Sequence, residues 1–184
     1  MSHPSSVSPE VLERAARIRL LICDVDGVLT DGRLYFTPQG EEFKGFHARD
    51  GHGIKLLQRT GVETAVISGR NSPAVALRMS SLGVQHVYQG RESKLEPYLE
   101  LLENLQLTPE QTAFVGDDVL DLPLMRRAGL AIAVADAHFS LRDHAHWVTS
   151  LPGGHGAVRE VCDLIMYAQN TLQEICGSGR QKEL

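Results

Sequence analysis

The chain has 184 residues, with 18 Lys and Arg against 23 Asp and Glu for a net charge of -5. That length supports one well-buried domain rather than two, and an acidic balance without a basic block speaks against a nucleic-acid partner. Three cysteines, Cys23, Cys162 and Cys176, are odd in number and unclustered, which argues against a disulfide framework or a zinc site.

Residues 1–17 are polar, with Pro4, Pro9 and four serines, and lack the apolar core of a signal peptide. The longest apolar run, residues 130–135, is far too short to insert in a membrane. A cytoplasmic protein is expected. Residues 19–24 then read as an apolar strand that runs into Asp24 and Asp26, two carboxylates one residue apart, and Gly27. Two acids at the mouth of a buried strand repel each other and resist desolvation, so a folded chain keeps them only with a cation or an anionic-substrate chemistry to balance them. A plain strand-to-loop turn also favours Asp and Gly.

Directly after the acidic pair, two short strand-like runs flank Thr37-Pro38-Gln39-Gly40 and predict a β-hairpin over about residues 33–46. It serves as a lid or as an assembly edge. Beyond it, strands at 63–68, 86–89, 112–116, 130–134 and 146–148 alternate with helices at 53–60, 73–82, 94–105, 119–127 and 157–174. Thr60-Gly61 and Leu82-Gly83 mark helix ends, while Ser72-Pro73 and Thr108-Pro109 mark helix starts. This pattern predicts an α/β fold over residues 18–174, a doubly wound parallel sheet with helices on both faces and ligands at the carboxyl ends of its strands. Residues 175–184 are expected to form a flexible tail.

The strand ends carry the polar residues that phosphoryl transfer needs. Besides Asp24 and Asp26, one strand ends in Ser68-Gly69-Arg70 and another in Gly116-Asp117-Asp118, with Asp121 a helical turn later. Carboxylates from two strands can share a hard divalent cation, and Mg²⁺ suits them because it takes oxygen ligands and keeps waters for a phosphate. Asp24 and Asp117 are the expected ligands. Ser93-Lys94-Leu95-Glu96 has capping-box spacing. A lysine in the first turn of a helix works against the helix dipole, so Lys94 is either an ordinary surface lysine or part of a phosphate site.

In order, Asp-x-Asp-Gly, Ser, Lys and Gly-Asp-Asp resemble the four motifs of haloacid dehalogenase superfamily phosphatases, and the similarity runs from Ile18 to about Gln173. Segments 24–32, 48–54, 115–118, 134–138 and 156–163 carry the more specific likeness, to members without a cap domain that act on an eight-carbon keto-sugar acid phosphate in lipopolysaccharide biosynthesis. The resemblance implies that Asp24 is the nucleophile, that Asp26 is the acid/base and that Ser68 and Lys94 neutralise the transferring phosphoryl group. Repulsion from Asp24 is expected to keep Asp26 protonated. It further implies that Asp24, Asp117 and the main-chain carbonyl of Asp26 hold Mg²⁺, with Asp118 and Asp121 behind them. Contacts to a small anionic sugar-phosphate substrate carry over to Asp26, His47, Ala48, Arg49, Asp50, Gly51, Lys55, Arg70, Arg78 and Lys94.

Only 37 residues separate Thr30 from Ser68 and 25 separate Ser68 from Lys94, so neither gap holds a cap domain. Capless relatives form tetramers, and a homotetramer with the hairpins at its centre is expected. One departure stands out: relatives tend to carry arginine in the Gly-Gly-x-Gly turn where this chain has His155, which puts a titratable group in place of a permanent cation. Other readings stay open. A phosphatase for a sialic-acid-type 9-phosphate shares every motif. A catalytically inactive assembly homologue and a response-regulator-like receiver are the remaining two. His138, His144 and His146 read as surface histidines.

Overall fold

The computed structural model describes residue 4 and residues 7–91 and 93–177. The expected tail from residue 178 onward lies outside the described residues. The chain opens with helix α1 (Pro9–Ala16), inside the segment read from sequence only as polar. Ser8 caps it by accepting a bond from the Val11 amide at 3.4 Å, and Pro9 takes the first helical position. Val11 and Ala15 are buried and fasten the helix to the core.

Strand β1 (Leu20–Cys23) follows, then the hairpin strands β2 (Tyr35–Phe36) and β3 (Glu42–Phe43) and helix α2 (Ala48–Gln58). Next come β4 (Glu63–Ile67), α3 (Pro73–Leu82), β5 (His86–Tyr88) and α4 (Leu95–Leu105). After β6 (Thr112–Gly116) the chain makes a 3-10 turn, Val119–Asp121, and runs through α5 (Leu122–Met125), β7 (Leu130–Ala133) and α6 (Phe139–Arg142). Strand β8 (Trp147–Val148), α7 (Ala157–Ala168) and α8 (Leu172–Gly177) complete it.

Six strands form one sheet in the order β5-β4-β1-β6-β7-β8, every neighbouring pair parallel. Parallel strands need crossovers, so α1 and α2 pack on α7 and α4 packs on α5, covering both faces. All residues of β1, β6 and β7 are buried. Each large aliphatic side chain so removed from water stabilises the fold by about 1.5–3 kcal/mol. From β1 the chain first travels outward through β4 and β5, then returns to β1's other side with β6. That reversal opens a crevice at the carboxyl ends of β1, β4 and β6.

Four helix boundaries differ from the sequence expectation. Helix α2 starts at Ala48, not 53, because Gly51 and Gly53 disguise it. A Cβ at Gly51 would lie 2.2 Å from the Arg78 guanidinium, and one at Gly53 would lie 2.7 Å from Arg159 Cδ. The capping box expected at Ser93 does not form; Lys94 is the N-cap of α4 and makes no side-chain cap. The helix expected at 119–127 begins as the 3-10 turn, which lets Asp121 fold back onto the end of β6. The helix expected at 157–174 breaks at Asn170, whose φ is 60°.

Candidate active site

Backbone pairing delivers the first carboxylate. The Asp24 amide donates to the Val115 carbonyl at 3.0 Å, so pairing of β1 with β6 continues one residue past the strand and sets Asp24 beside Asp117. Asp24 Oδ2 is 2.8 Å from Lys94 Nζ, and the same ammonium donates to Asp121 Oδ1 at 2.6 Å. Asp121 Oδ2 in turn accepts from the Asp117 amide at 3.0 Å and the Asp118 amide at 3.4 Å. Lys94 and Asp121 are buried, at 6% and 1% exposure. A charge so placed survives only when paired.

Asp24, Asp117 and Asp121 each offer a carboxylate oxygen, and these oxygens lie within 4.8 Å of one another. Burial first, then the Asp121 charge, pushes the Asp24 carboxyl up to about 6, against the pull of Lys94. Burial, then Asp24 and Asp121, pushes Asp117 up to about 8. Burial alone would lower the Lys94 pKa, but Asp24 and Asp121 raise it, so the ammonium stays charged. Three acids against one lysine leave negative charge uncompensated in a half-enclosed space, and an all-oxygen donor set of this kind fits Mg²⁺.

Gly27 makes room for that set. Its φ is +86°, and a Cβ there would sit 2.0 Å from Asp117 Oδ2. Gly27→Ala is expected to cost about 1–2 kcal/mol in backbone strain and to displace the Asp117 carboxylate. Weaker Mg²⁺ binding by calorimetry, with the far-ultraviolet circular dichroism unchanged, is the result that checks it.

Asp26 differs from its sequence reading. Its Oδ1 accepts a bond from Lys44 Nζ at 2.5 Å, and its Oδ2 is 3.5 Å from Arg70 Nε. Two cations, one from the hairpin and one from the end of β4, therefore stand against this carboxylate besides the Asp24 charge expected from sequence. Asp118 and Asp121 also part company. Asp121 is buried and joins Asp24 and half-buried Asp117, whereas exposed Asp118 caps the 3-10 turn, its Oδ1 accepting from the Val119 amide at 2.7 Å.

Asp24, Asp26, Ser68, Arg70, Lys94, Asp117, Asp118 and Asp121 line one cleft of about 160 Å³ together with Gly69 and Leu120. His47, Ala48, Arg49, Asp50, Gly51, Lys55 and Arg78 do not line it; they lie on or beside α2 and α3. His47 caps α2 and borders a separate hollow of about 230 Å³ with Asp31, Tyr35 and His155. Asp50, expected at the substrate, is buried and caps α7, its Oδ1 accepting from the Arg159 amide at 2.8 Å. A carboxylate at that helix N-terminus offsets the dipole, a partnership 109 residues long in sequence. The histidines have local tasks: His138 caps α6, and His146 Nδ1 accepts from the Ala131 amide at 2.9 Å. Lys44 and Glu42, which the sequence reading passed over, stand two residues apart at β3, so their alternation toward one face was the available signal.

Fold and site define a doubly wound α/β protein whose chemistry sits where a parallel sheet presents acids and a lysine at its carboxyl edge. A family model described as haloacid dehalogenase-like hydrolase matches residues 48–129. The 3-deoxy-D-manno-octulosonate 8-phosphate phosphatase KdsC of Yersinia pestis is 52% identical over 171 residues, covering 93% of this chain and 91% of that one. KdsC of Escherichia coli K12 is 50% identical over the same coverage. The Yersinia pestis enzyme's crystal structure superposes with a TM-score of 0.90 at 53% identity, covering 91% of this chain and 90% of that one. The Moraxella catarrhalis phosphatase, in complex with a magnesium ion, a phosphate ion and a KDO molecule, gives 0.91 at 37% identity, covering 93% and 98%. The chain belongs to the haloacid dehalogenase-like hydrolases, in their group of 3-deoxy-D-manno-octulosonate 8-phosphate phosphatases.

Proposed function

We propose that this protein is a phosphoric monoester hydrolase that converts 3-deoxy-D-manno-octulosonate 8-phosphate to the free sugar acid and phosphate, a cytoplasmic step of lipopolysaccharide biosynthesis. One observation carries it: the Asp24, Asp117, Asp121 and Lys94 cluster in a chain half identical to KdsC along nearly its whole length.

Asp24 attacks phosphorus in line, forming an aspartyl-phosphate as the bond to the sugar oxygen breaks. Asp26 gives that oxygen its proton, then takes one from the water that releases phosphate and restores the Asp24 carboxylate. Lys94 and the Ser68 hydroxyl, both buried beside Asp24, meet the charge that spreads over the phosphoryl oxygens. Asp24, Asp117 and the Asp26 main-chain carbonyl would hold Mg²⁺, with Asp121 beside them to anchor Lys94 and the Asp117 amide. When bound, the ion neutralises the acid cluster and the phosphate charge. Arg70 stands at the cleft mouth, fitted to a substrate carboxylate.

Without a cap, enclosure falls to other copies. The exposed hairpin residues Leu34, Phe36 and Phe43, with Tyr35 stacked on Phe43, support a homotetramer joined at the hairpins. In it, Arg49, Lys55 and Arg78 are available to a neighbouring cleft. Light scattering should give a mass near four times 20.2 kDa.

The test is phosphate release from the octulosonate 8-phosphate and from a sialic-acid-type 9-phosphate, side by side, with and without Mg²⁺. Preference for the first by at least about tenfold in kcat/KM is expected. Equal or faster turnover of the 9-phosphate would reassign the substrate, and no release from either would remove the enzyme reading.

A further inference from the structure

We propose that Lys44 is a positioning residue for Asp26, supplied to the active site by the hairpin. This rests on the phosphatase reading above, in which Asp26 moves protons. Lys44 Nζ lies 2.5 Å from Asp26 Oδ1 and 3.3 Å from Glu42 Oε1. Its side chain is 1% exposed, against 12% for Glu42 and 21% for Asp26. Arg70 closes the lattice, with Nη2 2.6 Å from Glu42 Oε1 and Nε 3.5 Å from Asp26 Oδ2. A surface ion pair would carry little weight, but a buried ammonium must keep its carboxylates.

The chemistry of the pair has a direction. An ammonium only donates, so the Asp26 oxygen it grips is committed to accepting. The proton that Asp26 delivers and recovers therefore travels on Oδ2, which no hydrogen bond holds as closely, since 3.5 Å to Arg70 is long. Lys44 thereby chooses the oxygen and fixes the plane of the carboxylate, and Glu42 steadies Lys44 from its own strand. The hairpin, elsewhere exposed, becomes part of the proton-transfer geometry.

Leaving-group dependence separates positioning from support. A sugar alkoxide needs a proton to depart, whereas nitrophenolate does not. Lys44→Met should slow aspartyl-phosphate formation from the sugar phosphate by about 30-fold or more, yet change the nitrophenol burst from p-nitrophenyl phosphate by less than about threefold. KM should stay near the wild-type value, Lys44→Arg should recover most of the rate, and Lys44→Met added to Asp26→Asn should cost nothing further. Because Lys44→Met leaves Glu42 with Arg70 as its one cation among these groups, a Glu42→Gln/Lys44→Met variant with a native melting curve must show the same selectivity. Equal losses on both substrates would mark Lys44 as structural support, and a change confined to KM would mark it as a substrate contact. Either result, or additive losses with Asp26→Asn, overturns the proposal. A wild-type protein that releases no phosphate from the sugar phosphate would instead overturn the function on which it rests.

Discussion

Asp24→Asn is expected to lower phosphate release by at least about 10⁴-fold and to leave no acid-stable or base-labile phosphoprotein in a quenched reaction. The amide keeps the shape of the carboxylate but neither attacks phosphorus nor carries charge. Folding should not suffer. Asp24 is pushed up to about 6 by burial and by Asp121, so removing its charge relieves repulsion, while Lys94 retains Asp121 at 2.6 Å. A melting temperature equal to or above that of the metal-free wild type, together with the loss of turnover, is the joint result to look for. Retained activity in this variant would remove the nucleophile assignment.

Chelation of divalent metal should abolish turnover, and Mg²⁺ should restore it, with a pH dependence that the acid cluster dictates. Asp24 and Asp117 have folded-state values of about 6 and about 8, both above their ordinary 3.8. The metal-free folded chain therefore holds protons that the unfolded chain has released between about pH 4 and pH 8, so its stability falls as pH rises through that window. Mg²⁺ acts in the opposite sense, because it binds only ionised carboxylates. Its apparent affinity should rise by up to about tenfold per pH unit for each proton displaced. In a chelator, the melting temperature should decline from about pH 5 to pH 8, and the rise on adding Mg²⁺ should be greater at the higher pH. A chelated protein that melts at one temperature throughout, or gains equally from Mg²⁺ at both ends, would show that these carboxylates do not hold the ion together.

How much of this was legible in the chain differs from residue to residue. Asp24 and Asp117 could be paired in advance because both close apolar strands, and parallel strands bring such ends to one edge. Lys94 stood out because a lysine in the first turn of a helix opposes the dipole. The choice between Asp118 and Asp121 was not legible. It depends on a 3-10 turn that swings one into the crevice and leaves the other capping the turn. The helix at Pro9–Ala16 had its signal in Ser8-Pro9, a cap and a first-turn proline that the polar composition around them obscured. Asp50 resembled a substrate contact by motif, and only the tertiary structure sets its Oδ1 on the N-terminus of α7.

By itself the sequence determined the α/β alternation, the order of the acids, serine and lysine along it, and the absence of room for a cap, since periodicity, motif and spacing are local properties of a chain. Only the tertiary structure decided the partners: Lys94 between Asp24 and Asp121, Asp50 under α7, and Lys44 of the hairpin on Asp26. Those meetings are made by crossovers that join residues far apart in the chain, and no local pattern encodes which buried charge will find which.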